Sequence, residues 1–303
     1  MRVRRAPLRS WLAAVGLLLF LPLGWLVAHL PVPLGLAIGR RLGDLAWVAL
    51  PRRRTVALEN LARAFGNAGP QGELHRLGRR SFEHLGMNIV EGCMFFFRPT
   101  SVLLSRVEVH GLANLRAAAA EEKGVLVLTA HYGNWELLAA SHVLIDIPLS
   151  VVVRPLDDPL MDRLVERFRQ RSGVELIDKR RGLRDILDAL RHGRMVGILL
   201  DQNASRAEGV FAPFFGAPAS TSKALAVISL RSRAPVVPTF IRRGRGGRHR
   251  VEIEPALPVP SDGDVAGYTE AFNRAIEAAV RRAPEQWFWL HKRWKTEPLR
   301  RTS

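Results

Sequence analysis

Hydrophobic positions follow three successive patterns along the chain. From Ser10 to Gly39 there is no Asp, Glu, Lys or Arg, and Trp11 to Leu30 is apolar apart from His29. About 20 such residues suffice to cross the hydrocarbon core of a bilayer as a helix. Between Thr55 and Phe97 the apolar residues Leu58, Leu61, Ala62 and Phe65 take helical spacing, and FGNAGPQG (65–72) divides the stretch into two helices. Beyond about residue 105, short apolar runs alternate with amphipathic segments. LANLRAAAAEEK reads as a helix closed by Gly124, VLVLTA as a buried strand and NWELLAASHVL as a helix. LSVVVRP, VELID and MVGILLD read as further strands, separated by the helices PLMDRLVERFRQRSG and GLRDILDALRHG. NASRAEGVFAPFFGAPAS reads as a loop, SKALAVISLRSR as a helix, and PVVPTFIRR and RVEIEPAL as two strands in direct succession.

This alternation predicts an α/β fold, a mixed and mainly parallel sheet flanked by helices. A hydrophobic membrane-anchor helix is expected before it. The predicted division is an anchor over 1–50 and one folded domain over 51–303, with 51–100 a helical lead-in and 101–303 the α/β core and C-terminal tail. A cleaved signal peptide is the competing reading of the N-terminus. The apolar run is long for one, and no A-x-A site precedes a plausible mature start. Arginines flank the run on both sides, so charge leaves open whether the anchor spans or re-enters.

Composition adds a partner. Lys plus Arg number 45 against 28 Asp plus Glu, a formal charge of +17, which suits an anionic surface or ligand. Arg242, Arg243, Arg245, Arg248 and Arg250 form one basic cluster, and Lys179, Arg180 and Arg181 another. Trp287, Trp289 and Trp294 alternate with Lys292, Arg293 and Lys295. Beside an apolar N-terminus these favour an anionic membrane. A membrane-tethered nucleic-acid-binding protein would use the same arginines, but no recognition helix, zinc finger or RNP-like strand supports it. The single cysteine, Cys93, excludes an intrachain disulfide and reads as a buried apolar residue.

In α/β sheets, reactive groups gather beyond the carboxyl ends of strands. Three such ends carry polar residues: His131 after VLVLTA, Arg154 after LSVVV, and Asp201 after MVGILL. Glu136 falls in the first turn of the helix that Asn134 caps, and Gly133 permits a tight reversal between them. A carboxylate accepting the Nδ1–H of His131 would leave Nε2 free to take a proton from an alcohol. Two bland readings stand beside this one. A first-turn glutamate is favoured by the helix dipole alone, and a strand-end histidine can be a hydrogen-bonded core residue.

HYGNWE in this strand–turn–helix setting resembles the His-x₄-Asp/Glu signature of the glycerolipid and lysophospholipid acyltransferase superfamily. With glutamate in second place, and with VVVRPLDDPLMDRL following, the chain resembles the bacterial lipid A late acyltransferases. RRRTVALENLARAF, LLDQN, GVFAPFFGAPAS, APVVPTF and EQWFWLHKRWK extend the likeness over about residues 50 to 295. The resemblance implies an acyltransferase catalytic domain on the cytoplasmic face of a bacterial inner membrane. It implies His131 and Glu136 as a general-base dyad, with Arg154, Asp201, Asn134 and Phe214 binding substrate. The acyl donor would be a thioester of acyl carrier protein or of CoA, and the acceptor a hydroxyl of a lipid A precursor or related anionic glycolipid. Lysophospholipids and phosphatidylinositol mannosides are the alternative acceptors. No cofactor is implied, and neither H-E-x-x-H nor zinc spacing calls for a metal.

Overall fold

The computed structural model describes residues 21–66, 71–153, 162, 166, 169–178 and 182–298. A helical segment over 21–28 leads into α1 (Val32–Ala49), α2 (Pro51–Phe65) and α3 (Gln71–Phe97). Helix α1 lies along α3 with Gly39 and Gly43 against the backbone of Phe82 to Met87, and Gly86 against Gly39. A β-carbon at any of these positions would collide with the opposing main chain, so glycine sets the spacing of this pair. Residues 1–20, which carry the first half of the expected anchor, lie outside the described residues. No helix among the described residues is long and apolar enough to cross a membrane.

Short α4 (Ser101–Leu104) precedes β1 (Val107–His110), α5 (Leu112–Ala119), β2 (Val125–Thr129), α6 (Trp135–Ala140) and β3 (Leu149–Val153). Then come β4 (Glu175–Asp178), α7 (Gly182–Arg191), β5 (Met195–Leu199), β6 (Gly209–Phe214), β7 (Ala217–Ser222) and α8 (Ala224–Ser232). The described elements end with β8 (Val236–Arg243), β9 (His249–Ile253) and α9 (Val265–Arg282). Seven strands form one sheet in the order β1-β9-β8-β2-β5-β3-β4, parallel except at β8–β9. The mixed, mainly parallel sheet expected from the alternation is therefore present. Strand β2, buried along its whole length, runs beside β5 with Thr129 opposite Leu199.

Three local expectations need correction. The stretch 203–220 is not simply a loop, because β6 and β7 pair there as an antiparallel hairpin. Phe215 and Gly216 turn it with φ of 50° and 74°, the positive values that a two-residue hairpin turn demands. Pro213 and Pro218 face each other across it and mask the strand pattern in the sequence. Trp287, Trp289 and Trp294 do not serve as membrane-interface residues, since all three are buried. They pack in an aromatic cluster with Phe65, Phe214 and Phe215, which offers their rings more contact than water would. Arg243 leaves the basic surface cluster and is 8% exposed, turned inward onto Glu91.

Candidate active site

The β2–β5 register places the site. Thr129 pairs with Leu199, and the ladder continues one residue further through Leu200 N–H donating to Thr129 O at 3.1 Å. His131 and Asp201 each stand two residues beyond that pair, so they emerge level on adjacent strands. Asp201 Oδ1 accepts from His131 Nδ1 at 2.8 Å. Its Oδ2 accepts from the His131 main-chain N–H at 3.0 Å and from Trp287 Nε1 at 2.8 Å. With three donors on a carboxylate that is 2% exposed, Asp201 is fixed in place and so is the imidazole. Burial alone would raise the Asp201 carboxyl, but the contacts to His131 and Trp287 outweigh it and hold it below its ordinary value. Burial alone would lower His131; the Asp201 charge overrides this and holds the imidazole above its ordinary value.

This pairing changes the roles expected of the two carboxylates. Asp201, not Glu136, holds Nδ1, because the strand register brings it alongside while Glu136 points elsewhere. Glu136 forms a two-pronged ion pair with Arg169, at 2.6 Å to Nη2 and 3.0 Å to Nε. His131, Glu136 and Arg169 all line one cavity of about 1410 Å³. Its walls are largely apolar and include Leu138, Ile145, Val151, Val174, Met195 and Gly197. The imidazole stands between Trp135 and Phe288, at ring distances of 5.2 and 6.2 Å. Gln202 Nε2 lies 3.4 Å from His131 Nε2, on the cavity side of the imidazole.

The other expected site residues take different places. Arg154 lies outside the described residues. Asn134 is the N-cap of α6, its Oδ1 accepting from Leu137 N–H at 3.0 Å and its Nδ2 donating to Glu91 at 2.6 Å. Both polar atoms are thus engaged within the protein rather than turned to a substrate. Phe214 is fully buried beside Trp287 and Trp294 and does not line the cavity, so it belongs to the core. Arg169, Gln202 and Trp287 are site residues to which the sequence reading gives no part in the site. Gln202 follows Asp201 directly and could have been found from that adjacency. Arg169 and Trp287 carry no spacing signal, since each is brought in by tertiary folding.

The family model described as bacterial lipid A biosynthesis acyltransferase matches residues 3–296. The chain belongs to this family. It is 33% identical to a lipid A biosynthesis palmitoleoyltransferase of Escherichia coli (strain K12), over 97% of this chain and 94% of that protein. It is 31% identical to a lipid A biosynthesis lauroyltransferase of the same organism, over 96% and 93%. A lipid A biosynthesis acyltransferase of Haemophilus influenzae (strain ATCC 51907 / DSM 11121 / KW20 / Rd) is 27% identical over 92% and 84%. The chain is an acyltransferase of this lipid A family, and the family implies an acyl donor and a lipid acceptor. For this acyltransferase, the cavity beside His131 is the candidate place where donor and acceptor meet.

Proposed function

We propose that the enzyme moves a fatty acyl chain from an acyl thioester to a hydroxyl of a lipid A precursor, with His131 as general base. His131, at the wall of the apolar cavity and held from behind by buried Asp201, carries this reading. Nδ1 is committed to Asp201, so the neutral imidazole presents an unprotonated Nε2. The acceptor hydroxyl gives its proton to Nε2 as its oxygen attacks the thioester carbonyl. Collapse of the tetrahedral intermediate breaks the carbon–sulfur bond, and the imidazolium returns the proton to the departing thiolate. The products are an ester and a thiol, and no covalent acyl-enzyme is needed.

Asp201 stabilises the imidazolium at the moment it forms. Glu136 adds a second negative charge that raises His131 further. It also aims the Arg169 guanidinium at the cavity, where a planar fork suits a phosphate or a developing oxyanion. The expected dyad thereby becomes a base with two carboxylates of separate function. The Gln202 amide must leave Nε2 when the acceptor binds, and it is then within reach of the carbonyl oxygen. Acyl carrier protein is the donor we favour, with CoA the alternative.

Work at a bacterial inner membrane, with the catalytic domain on the cytoplasmic face, is part of the same reading. It is supported by the apolar composition of Trp11 to Leu30 and by side chains left in water on the helices over 21–49. Trp25, Leu26, Leu45 and Val48 are 53%, 56%, 64% and 69% exposed. Such residues cover themselves by entering a bilayer surface. The deciding experiment incubates the purified protein with acyl carrier protein thioester and lipid A precursor, followed by mass spectrometry. One added acyl chain is expected, with none from His131→Ala; an unchanged acceptor with wild-type protein sinks the proposal. Lysophospholipid and phosphatidylinositol mannoside in parallel reactions test the other acceptors.

A further inference from the structure

We infer that Glu91, held inside the protein by Arg243 and His249, is a positioning residue for the catalytic turn His131–Asn134. The inference rests on the acyltransfer reading above and extends it to residues that never meet the substrate. Glu91 is fully buried on α3. Its Oε1 accepts from Arg243 Nε at 3.1 Å and from His249 Nε2 at 2.8 Å, and its Oε2 accepts from Arg243 Nη2 at 2.6 Å. Burial would push this carboxyl up, but Arg243 and His249 hold it far below the ordinary range, so Glu91 is an anion. Two further Arg243 N–H groups donate to Nε2 of His84 at 2.7 Å and Oδ1 of Asn88 at 2.6 Å. Burial and the adjacent guanidinium keep His84 neutral and able to accept.

From this knot three hydrogen bonds reach the turn. Asn134 Nδ2 donates to Glu91 Oε2 at 2.6 Å. Asn88 Nδ2 donates to Gly133 O at 2.7 Å. Gly133 N–H donates to the main-chain carbonyl of Gln286 at 3.0 Å, and the Gln286 side chain clasps both main-chain groups of Arg243, at 2.7 and 2.8 Å. Gly133 itself has φ of 62° and lies so close to Ile241 O that no β-carbon fits. Both main-chain groups of residue 133 and both side-chain atoms of residue 134 are thereby immobilised. His131 lies two residues before Gly133, and Glu136 two residues after Asn134.

Burying an anion, a guanidinium and two imidazoles is an expensive way to fill a core that apolar side chains could fill. None of Glu91, Arg243, His84 or His249 lines the cavity, so the knot does not touch substrate. What it does is fix a turn whose displacement by about 1 Å would cost on the order of a hundredfold in turnover.

The test uses the full-length protein in the acyltransfer assay, with melting temperature measured beside kcat and KM. Asn88→Ala removes the link to Gly133 at a half-buried position. We expect kcat to fall about tenfold to a hundredfold, with KM for the thioester close to wild type and the protein still fully folded at the assay temperature. Asn134→Asp opposes two carboxylates and should fall further. Turnover of Asn88→Ala and Asn134→Asp within about twofold of wild type overturns the inference. Losses in turnover that merely follow the folded fraction overturn it as well. An inactive wild-type protein would instead strike the acyltransfer reading, so the two failures are distinguishable.

Discussion

Two histidine–carboxylate contacts of the same length, 2.8 Å, meet one turn: His131 with Asp201, and His249 with Glu91, which also holds Asn134. In the first, the histidine side chain is 22% exposed, its bonded nitrogen is Nδ1, and Nε2 meets a cavity. In the second, both side chains are 0% exposed, Nε2 is the bonded nitrogen, and Nδ1 has no hydrogen-bond partner among the described residues. The counter-charges differ too. Asp201 is surrounded by neutral N–H donors and the imidazole, whereas Glu91 is matched by a guanidinium. A contact distance therefore says little about function. What separates the proposed base from the proposed brace is the neighbour of the second nitrogen and whether an alcohol can reach it.

The largest effect should come from the exposed pair. His131→Ala is expected to lower kcat by about a thousandfold or more while the protein still folds, measured by turnover and circular dichroism. A variant with normal turnover would end the proposed role. Glu91→Gln should show in stability as well as in turnover. It leaves Arg243 without its full anion, so unfolding in urea should reveal a loss of about 3–5 kcal/mol. A loss below about 1 kcal/mol would mean that the buried pair carries little stability.

Asp201→Asn should lower kcat by about a hundredfold, and it also moves the pH profile. Since the base must be neutral and Asp201 raises it, the acid limb of kcat/KM in the wild type should lie above about pH 6.5. Removing the charge should shift that limb to lower pH. A limb that stays in place would show that another group sets it. The smallest effect is expected from Trp287→Phe, which deletes one of the three donors to Asp201. Turnover should fall by about tenfold or less, because two donors remain. A loss equal to that of Asp201→Asn would give the indole a larger part than orientation.

Much of the exposed pair was legible in the sequence. VLVLTA and MVGILL are continuous apolar runs, each ending in a residue with chemistry, and parallel strands deliver their ends to one edge. Which carboxylate served His131 was not legible. Glu136 is near in sequence and Asp201 is near only through the β2–β5 register. The brace was harder still. Glu91 sits on a helix where a glutamate ordinarily faces water, and Arg243 stands in an arginine-rich run that resembles a solvated surface. Their meeting depends on the packing of α3 against the end of β8, a contact between residues 152 apart in the chain. The tryptophans mislead for the same reason, since an alternation with Lys and Arg looks interfacial until the β6–β7 hairpin supplies rings to cover them. The C-terminal helix α9 gave no expectation, although Asp264 caps it as an ordinary N-cap.

The last described stretch of chain has a consequence for biosynthesis. Trp287 holds Asp201, Phe288 N–H donates to His131 O at 3.0 Å, and Asn60 Nδ2 donates to the carbonyls of Trp289 and His291. A ribosome that has translated both His131 and Asp201 has not yet made the segment that locks them. A nascent or truncated chain ending near residue 283 would hold the base and its carboxylate but lack their clasp. On the proposed mechanism, competence waits until the chain has passed residue 291, and with it any reaction with acyl thioester during translation.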